Sequence, residues 1–468
     1  MTQYRQAAKM IQFIRNDKMT LRNTFFVLLF SLVFVGCSKT DDDAEKIVTS
    51  SSGKGVKIQT WKSTKGAKVL FVNAPQLPMI DIRLVFNAGS ARDGMQYGIA
   101  NLTNTMLSQS AGEWSTDELA ERFEAVGANF STSALRDMAI MSLRSLTDEK
   151  LLRQAINTFK AVASKPSFKP EEVERKRAHQ LISIQNAQQS PGRIADNAFY
   201  GVVYKGHPYS HSVNGNKDSV SEIKIEDLKR FYSRYYVAAN LTIAIVGNVD
   251  QKQAYALAEE LTAELNKGQS AGKLPELEMP KQALKEHTEY DATQTHILVG
   301  QPGMKRGDAD YYNLYVGNHI LGGSGFGSRI MEEIREKRGL AYSSYSYFLP
   351  MQVQGPFTMG LQTKNSKTAE ALEILNKTLL DFIEKGPTKE ELEHSKKNIT
   401  GGFPLRVDSN KDITQYLAVI GFYDLPLDYL NTFNDKVNAV TVETIKDAFK
   451  RRIHPDKLAT ITVGQKNK

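Results

Sequence analysis

The chain has 468 residues, 41% apolar and 24% charged, which fits a globular protein of more than one domain and excludes collagen-like and disordered classes. Its formal charge of +8 is inflated by the N-terminus, where five basic groups and one acid fall within residues 1–36; the remaining 55 basic against 51 acidic groups are too evenly balanced for a nucleic-acid footprint, so no nucleic-acid partner is expected. A single cysteine, Cys37, excludes an internal disulfide and any cysteine-based zinc site.

Residues 25–35 (FFVLLFSLVFV) form an apolar run after Arg22 that ends at Gly36-Cys37. About a dozen apolar residues suit the core of a signal peptide, whereas a membrane-spanning helix needs roughly 20. A small residue before a lone cysteine at the end of such a run resembles a bacterial lipoprotein signal; an ordinary signal peptide or a short core segment are the alternatives. The lipoprotein reading makes residues 1–36 the signal, with Met19 as a possible true start, and Cys37 the lipidated residue. It makes 37–55 a polar tether carrying the acidic run Asp41-Asp42-Asp43. The expected location is a bacterial membrane, the outer membrane facing periplasm or cell surface, with the lipid as anchor.

Two similar halves follow. Each opens with a strand-like run ending near glycine, Asp81 to Gly89 and His296 to Gly303; each has a helix start after proline, at Pro170 and Pro387; each closes with a β-rich run, Leu241 to Gly247 and Leu458 to Gly464. Gly89 to Gly303 is 214 residues, Pro170 to Pro387 is 217 and Gly247 to Gly464 is 217. Three markers in one order at nearly one offset indicate a tandem duplication of a unit of about 200 residues. Strands and long helical stretches are mixed within each unit, and the strands alternate apolar with polar residues, which predicts an α+β class with helices on one face of each sheet. The first domain is placed at 56–263, a Gly- and Pro-containing linker at 264–290 and the second domain at 291–468.

The first half carries Gly89-Ser90-Ala91-Arg92-Asp93 and then Gly98-Ile99-Ala100-Asn101-Leu102-Thr103-Asn104-Thr105-Met106-Leu107. This resembles the signature region of the insulinase/pitrilysin family of inverted-motif zinc peptidases, in its half-size, processing-peptidase-like branch, over nearly the whole chain after the tether. The resemblance implies two homologous domains, each a mainly antiparallel sheet covered by helices, forming a clam-shell half. In active members this helix carries H-x-x-E-H: two histidines four apart bind one Zn²⁺ from one helix face, the glutamate takes a proton from the metal-bound water, and a downstream glutamate completes the site. Here Asn101 and Thr105 stand at the histidine positions, Asn104 at the base, and the downstream ligand falls near Ile182 or Ser183. Neutral amides and hydroxyls are poor zinc ligands, and an amide is no base. No cofactor is therefore expected in this chain.

The eight histidines are scattered. His207 and His211 are the only close pair, and Pro208 between them argues against a shared helix face, so they read as loop residues; His319 reads as a packed histidine. In the second half, Leu321-Gly322-Gly323-Ser324-Gly325-Phe326-Gly327 lacks the Gly-Lys-Ser/Thr ending of a phosphate loop. The run Arg335-Glu336-Lys337-Arg338-Gly339-Leu340-Ala341-Tyr342 instead resembles the family's Arg/Tyr segment. The resemblance makes Arg335 and Tyr342 substrate-binding, oriented on a peptide carbonyl or the oxyanion formed in hydrolysis. It implies a homologous zinc-bearing subunit as partner, with the metal in that chain, and peptides or small unfolded proteins as substrate, taken up by strand addition. A non-enzymatic scaffold of the same fold is the alternative; a lone peptidase with a relocated metal is a third reading.

Overall fold

The computed structural model describes residues 47–49 and 55–465, all within one compact unit spanning Glu45–Lys468. The signal segment, Cys37 and most of the expected tether lie outside the described residues. Val48–Thr49, within that tether, form a short strand β1.

The first half contributes β2 (Gln59–Lys62), β3 (Lys68–Asn73), β4 (Met79–Phe86), β5 (Asn129–Ala134), β6 (Ala139–Leu146) and β7 (Leu241–Gly247). With β1 they form one sheet in the order β1-β2-β3-β7-β4-β6-β5. The second half contributes β8 (Leu284–Glu289), β9 (Gln294–Pro302), β10 (Ala341–Phe348), β11 (Pro356–Lys364) and β12 (Ala459–Gly464), in the order β10-β11-β9-β12-β8. The two orders are one topology written twice: β3-β7-β4-β6-β5 corresponds to β8-β12-β9-β11-β10. The likeness extends to strand direction, since β3/β7 and β8/β12 are the parallel pairs and all other pairs are antiparallel.

Two expectations need correction here. The segment 264–290 is not a free linker. Leu284–Glu289 is the edge strand that opens the second sheet, in register with β12 from Leu284↔Ala459 to Glu289↔Gly464. Its sequence, LKEHTE, is polar because an edge strand faces solvent, so it lacks the apolar alternation of an interior strand. The preceding stretch is tied to the first half, where Asn240 Oδ1 accepts from Ala271 N (2.8 Å) and Leu274 is buried.

The second correction concerns the sheet faces, because both are covered. On one face of the first sheet Val69, Phe71, Ile82, Leu84, Ile243 and Ile245 pack against helices of the same half. On the other, Leu70, Val72, Ala244 and Val246 pack with Leu417, Ala418 and Ile420 of helix Asn410–Phe422, which belongs to the second half. The second sheet is treated alike: Leu298, Ile461 and Val463 pack with Ala195 and Phe199 of helix Pro191–Val203 from the first half. Each repeat lends the other one helix. That exchange explains why β7, LTIAIVG, is buried along its entire length and why the halves share a continuous core.

Candidate functional site

Helix Ile99–Met106 begins at Gly98, whose φ of +95° is open to glycine at little cost; a Cβ there would also strike Asn214 O and the Gln180 side chain. The helix start is closed by Asp93, whose carboxylate accepts from Gly98 N (2.7 Å) and Ala100 N (3.0 Å). Burial pushes the Asp93 carboxyl well above the ordinary carboxylate range, an effect these two donors offset in part.

The polar side chains of this helix point to two different places. Asn101 Nδ2 donates to Asn214 Oδ1 (3.2 Å), and Asn214 Nδ2 donates to Ser183 Oγ (3.3 Å) on helix Pro170–Gln188. Thr105 Oγ1 turns back onto its own helix, donating to Leu102 O (2.9 Å). Asn104 is fully buried and donates to Tyr236 OH (3.3 Å), while its Oδ1 has no hydrogen-bond partner among the described residues. Ile182, beside Ser183, is 55% exposed.

The residues at the metal positions thus do not fit zinc. Two amides and a hydroxyl are joined in a chain that ties the first-ligand position to the downstream-ligand position, and neither imidazole nor carboxylate enters it. Among the described residues there is no group of three or more His, Cys, Asp or Glu placed to hold a metal ion. The linking residue, Asn214, is absent from the sequence reading, because nothing in a loop between helices signals which side chains it will meet.

His207, His211 and His319 are engaged elsewhere. His207 is buried with Nε2 near Pro275 O (3.1 Å) and Nδ1 accepting from Tyr209 N (3.1 Å). His211 stacks on Tyr97, with its centroid 4.3 Å away, and burial lowers its pKa. In the second repeat, His319 follows helix Tyr311–Asn318, the counterpart of the motif helix. It lies between Ser395 Oγ (2.9 Å) and Asn398 Oδ1 (3.2 Å) on helix Lys389–Gly402, and burial lowers its pKa to about 4. In the second repeat, then, a side chain following the counterpart helix bonds directly to the neighbouring helix, where the first repeat joins its two helices through Asn214.

Arg335 lies in the turn Glu332–Glu336, and Tyr342 in β10. Gly339, at φ +60°, turns the chain back between them: Gly339 N reaches Arg335 O (2.9 Å) and Leu340 N reaches Ile334 O (2.9 Å). The seven-residue spacing therefore brings the two side chains together. Arg335 Nη1 donates to Tyr342 O (3.0 Å), and the guanidinium carbon lies 4.4 Å from the Tyr342 ring centroid. A register shift between Ala341 and Ser344 places a bulge at Tyr342, which is 82% exposed.

Residues 68–217 match the insulinase family (peptidase family M16), and residues 222–399 match the peptidase M16 inactive domain. A crystal structure of a peptidase M16 inactive domain from Pseudomonas fluorescens superposes with a TM-score of 0.85 at 38% identity, covering 88% of this chain and 98% of that one. This chain belongs to the insulinase family. Among its curated relatives, a non-peptidase homolog, YmxG, of Helicobacter pylori is 27% identical over 409 residues, 86% of this chain and 92% of that protein. An uncharacterized zinc protease, YmxG, of Bacillus subtilis is 23% identical over 393 residues, 83% of this chain and 94% of that protein. As an insulinase-family chain of two M16 repeats, it is a half-size member without the family's zinc-binding residues.

Proposed function

We propose that this chain is the substrate-orienting, metal-free subunit of a heteromeric metallopeptidase acting on peptides or small unfolded proteins. The observation that carries the reading is a contrast between the two repeats. The motif helix of the first offers only amides and a hydroxyl, each already engaged by a protein group (Asn101 with Asn214, Asn104 with Tyr236, Thr105 with Leu102 O), while the second holds Arg335 and Tyr342 side by side with the tyrosine ring in solvent. A guanidinium fixed on a tyrosine offers hydrogen-bond donors to a peptide oxygen. The metal chemistry would belong to a homologous chain bearing H-x-x-E-H. The sheet edge at β5, whose residues alternate between exposed and half-buried, suits an extended peptide added as a strand. A lipid on Cys37 would hold the assembly at a bacterial membrane; loss of labelled fatty acid on Cys37→Ser checks this part.

The test is reconstitution of the full chain with a half-size H-x-x-E-H chain from the same genome. Turnover of an unfolded polypeptide by the pair, absent from either chain alone and lost in Arg335→Ala with pairing intact, is the expected result. Full turnover in Arg335→Ala would favour the scaffold reading. Stoichiometric zinc on this chain alone, with chelator-sensitive cleavage, would overturn the proposal.

A further inference from the structure

The Arg335 guanidinium has a second aromatic neighbour. Its carbon lies 4.6 Å from the ring centroid of Phe326, as against 4.4 Å from that of Tyr342. Phe326 sits in the short turn Gly325–Gly327 and is 67% exposed, an unusual place for a phenylalanine that packs into no core cluster. The two rings thus flank one guanidinium from two elements far apart in local structure. Stacking of this kind at an exposed site is enough to bias a rotamer.

The consequence is a restriction on how Arg335 meets a ligand. With two aromatic rings within 4.6 Å of its carbon and Nη1 donating to Tyr342 O, the guanidinium has little free face left for a substrate side chain, and its unused N–H groups are the donors left for one. Glu336 Oε1, 3.5 Å from Nε, further fixes the guanidinium edge.

We infer that Phe326 is a positioning and specificity residue: it holds Arg335 edge-on for a backbone carbonyl of an extended peptide, and its exposed ring face takes an aromatic side chain next to that carbonyl. The inference rests on the peptidase-subunit reading for its substrate class, but the positioning itself does not. Phe326→Leu removes the ring, Phe326→Tyr keeps it, and neither touches a core cluster, so thermal stability should hold in both.

The experiment uses the full chain with guanidinium-labelled arginine, the Arg335 resonance being assigned by its loss in Arg335→Lys. A ring-current-shifted Arg335 signal is expected, moving to the position of a solvated arginine in Phe326→Leu and staying in Phe326→Tyr. The probe for binding is a fluorescent, N-acetylated and C-amidated peptide rich in phenylalanine and free of acidic residues. Its affinity should fall about tenfold in Arg335→Ala and at least as far in Phe326→Leu, with Phe326→Tyr near wild type; on a phenylalanine-free peptide, where only the positioning operates, the double variant should be no worse than Arg335→Ala alone. An Arg335 signal indifferent to Phe326→Leu, or additive losses in the double variant on the phenylalanine-free peptide, would overturn the positioning role. Equal affinity for a phenylalanine-free peptide would overturn the specificity role. Failure of the subunit reading shows separately, as turnover of the reconstituted pair that ignores Arg335→Ala.

Discussion

Asn101 and Ser183, on two different helices and 82 residues apart, are joined through a single side chain: Asn214 accepts from the first at 3.2 Å and donates to the second at 3.3 Å. The ladder spans the two helices between Asn101, which the resemblance sets at a histidine-ligand position, and Ser183, at or beside the expected downstream-ligand position. If it takes the metal's place as a cross-link, its loss should be felt in stability and chelators should do nothing. Asn214→Ala removes both bonds and leaves a half-buried amide and hydroxyl to water, a cost of about 1–3 kcal/mol. Chemical denaturation of wild type and Asn214→Ala, with and without chelator, checks this: the midpoint should drop in the variant and be indifferent to chelator in both.

Asn104 sets a different problem, because placing an acidic residue there, as the family's active members do, should harm the fold. Its side chain is fully buried against Tyr236, and burial raises the Tyr236 hydroxyl pKa, so that hydroxyl stays neutral and cannot serve as a counter-charge. Asn104→Asp places a carboxylate there with no cation beside it. The buried acid has its pKa raised in the folded state, so the folded form holds its proton over a pH range in which the unfolded form has lost it, and stability falls as pH rises through that range. Asn104→Asp should be destabilised by roughly 3 kcal/mol at pH 8 and much less at pH 4, measured as the difference in unfolding free energy from wild type. A deficit independent of pH would point to shape rather than charge.

Much of the fold could be read from the chain. The run Leu241–Gly247 is β7 residue for residue, and Pro170 is the first residue of its helix, because a run rich in Thr, Ile and Val and a proline at a helix start are local signals. What escaped is what depends on tertiary context. β8 hides in a polar edge sequence, and the second covered face of each sheet comes from a helix of the other repeat, which no window of residues reveals. The site divides along the same line. Once the resemblance sets Asn101, Asn104 and Thr105 at the motif positions, their residue types mark them as wrong donors, and the same resemblance singles out Arg335 and Tyr342. Asn214 and Phe326 come from loops whose partners are set only when the halves fold.

His319 should give the protein an acid-side weakness. Burial lowers its pKa to about 4 from an ordinary 6.5, with Arg406 and His394 adding repulsion and Asn398 opposing the shift. Between pH 6.5 and 4 the unfolded chain binds a proton that the folded chain refuses, so stability rises with pH across that window and is complete above it. The full swing is at most about 3 kcal/mol. His319→Gln keeps a donor and an acceptor for Ser395 and Asn398 without titrating. Unfolding free energies from pH 4 to 8 should show a steeper acid loss in wild type than in His319→Gln, and parallel curves would contradict the assignment.

The most consequential buried carboxylate lies where the halves meet. Asp137 accepts from Tyr209 OH (2.5 Å) in its own half, and from Tyr423 OH (2.9 Å) and Gln352 N (2.9 Å) in the other. Burial raises its pKa, and the three donors, with Arg92 nearby, pull it back. Removing the carboxylate strands all three donors in the core. Asp137→Ala should therefore cost about 3–5 kcal/mol, the loss of several partners at once from a buried charged group. Tyr423→Phe loses one bond and should cost about 1–2 kcal/mol. Because Tyr423 acts through Asp137, the double variant should be little worse than Asp137→Ala alone. A double-mutant cycle by urea unfolding measures that coupling, and strict additivity would mean that the two halves are held together by the exchanged helices without help from this cluster.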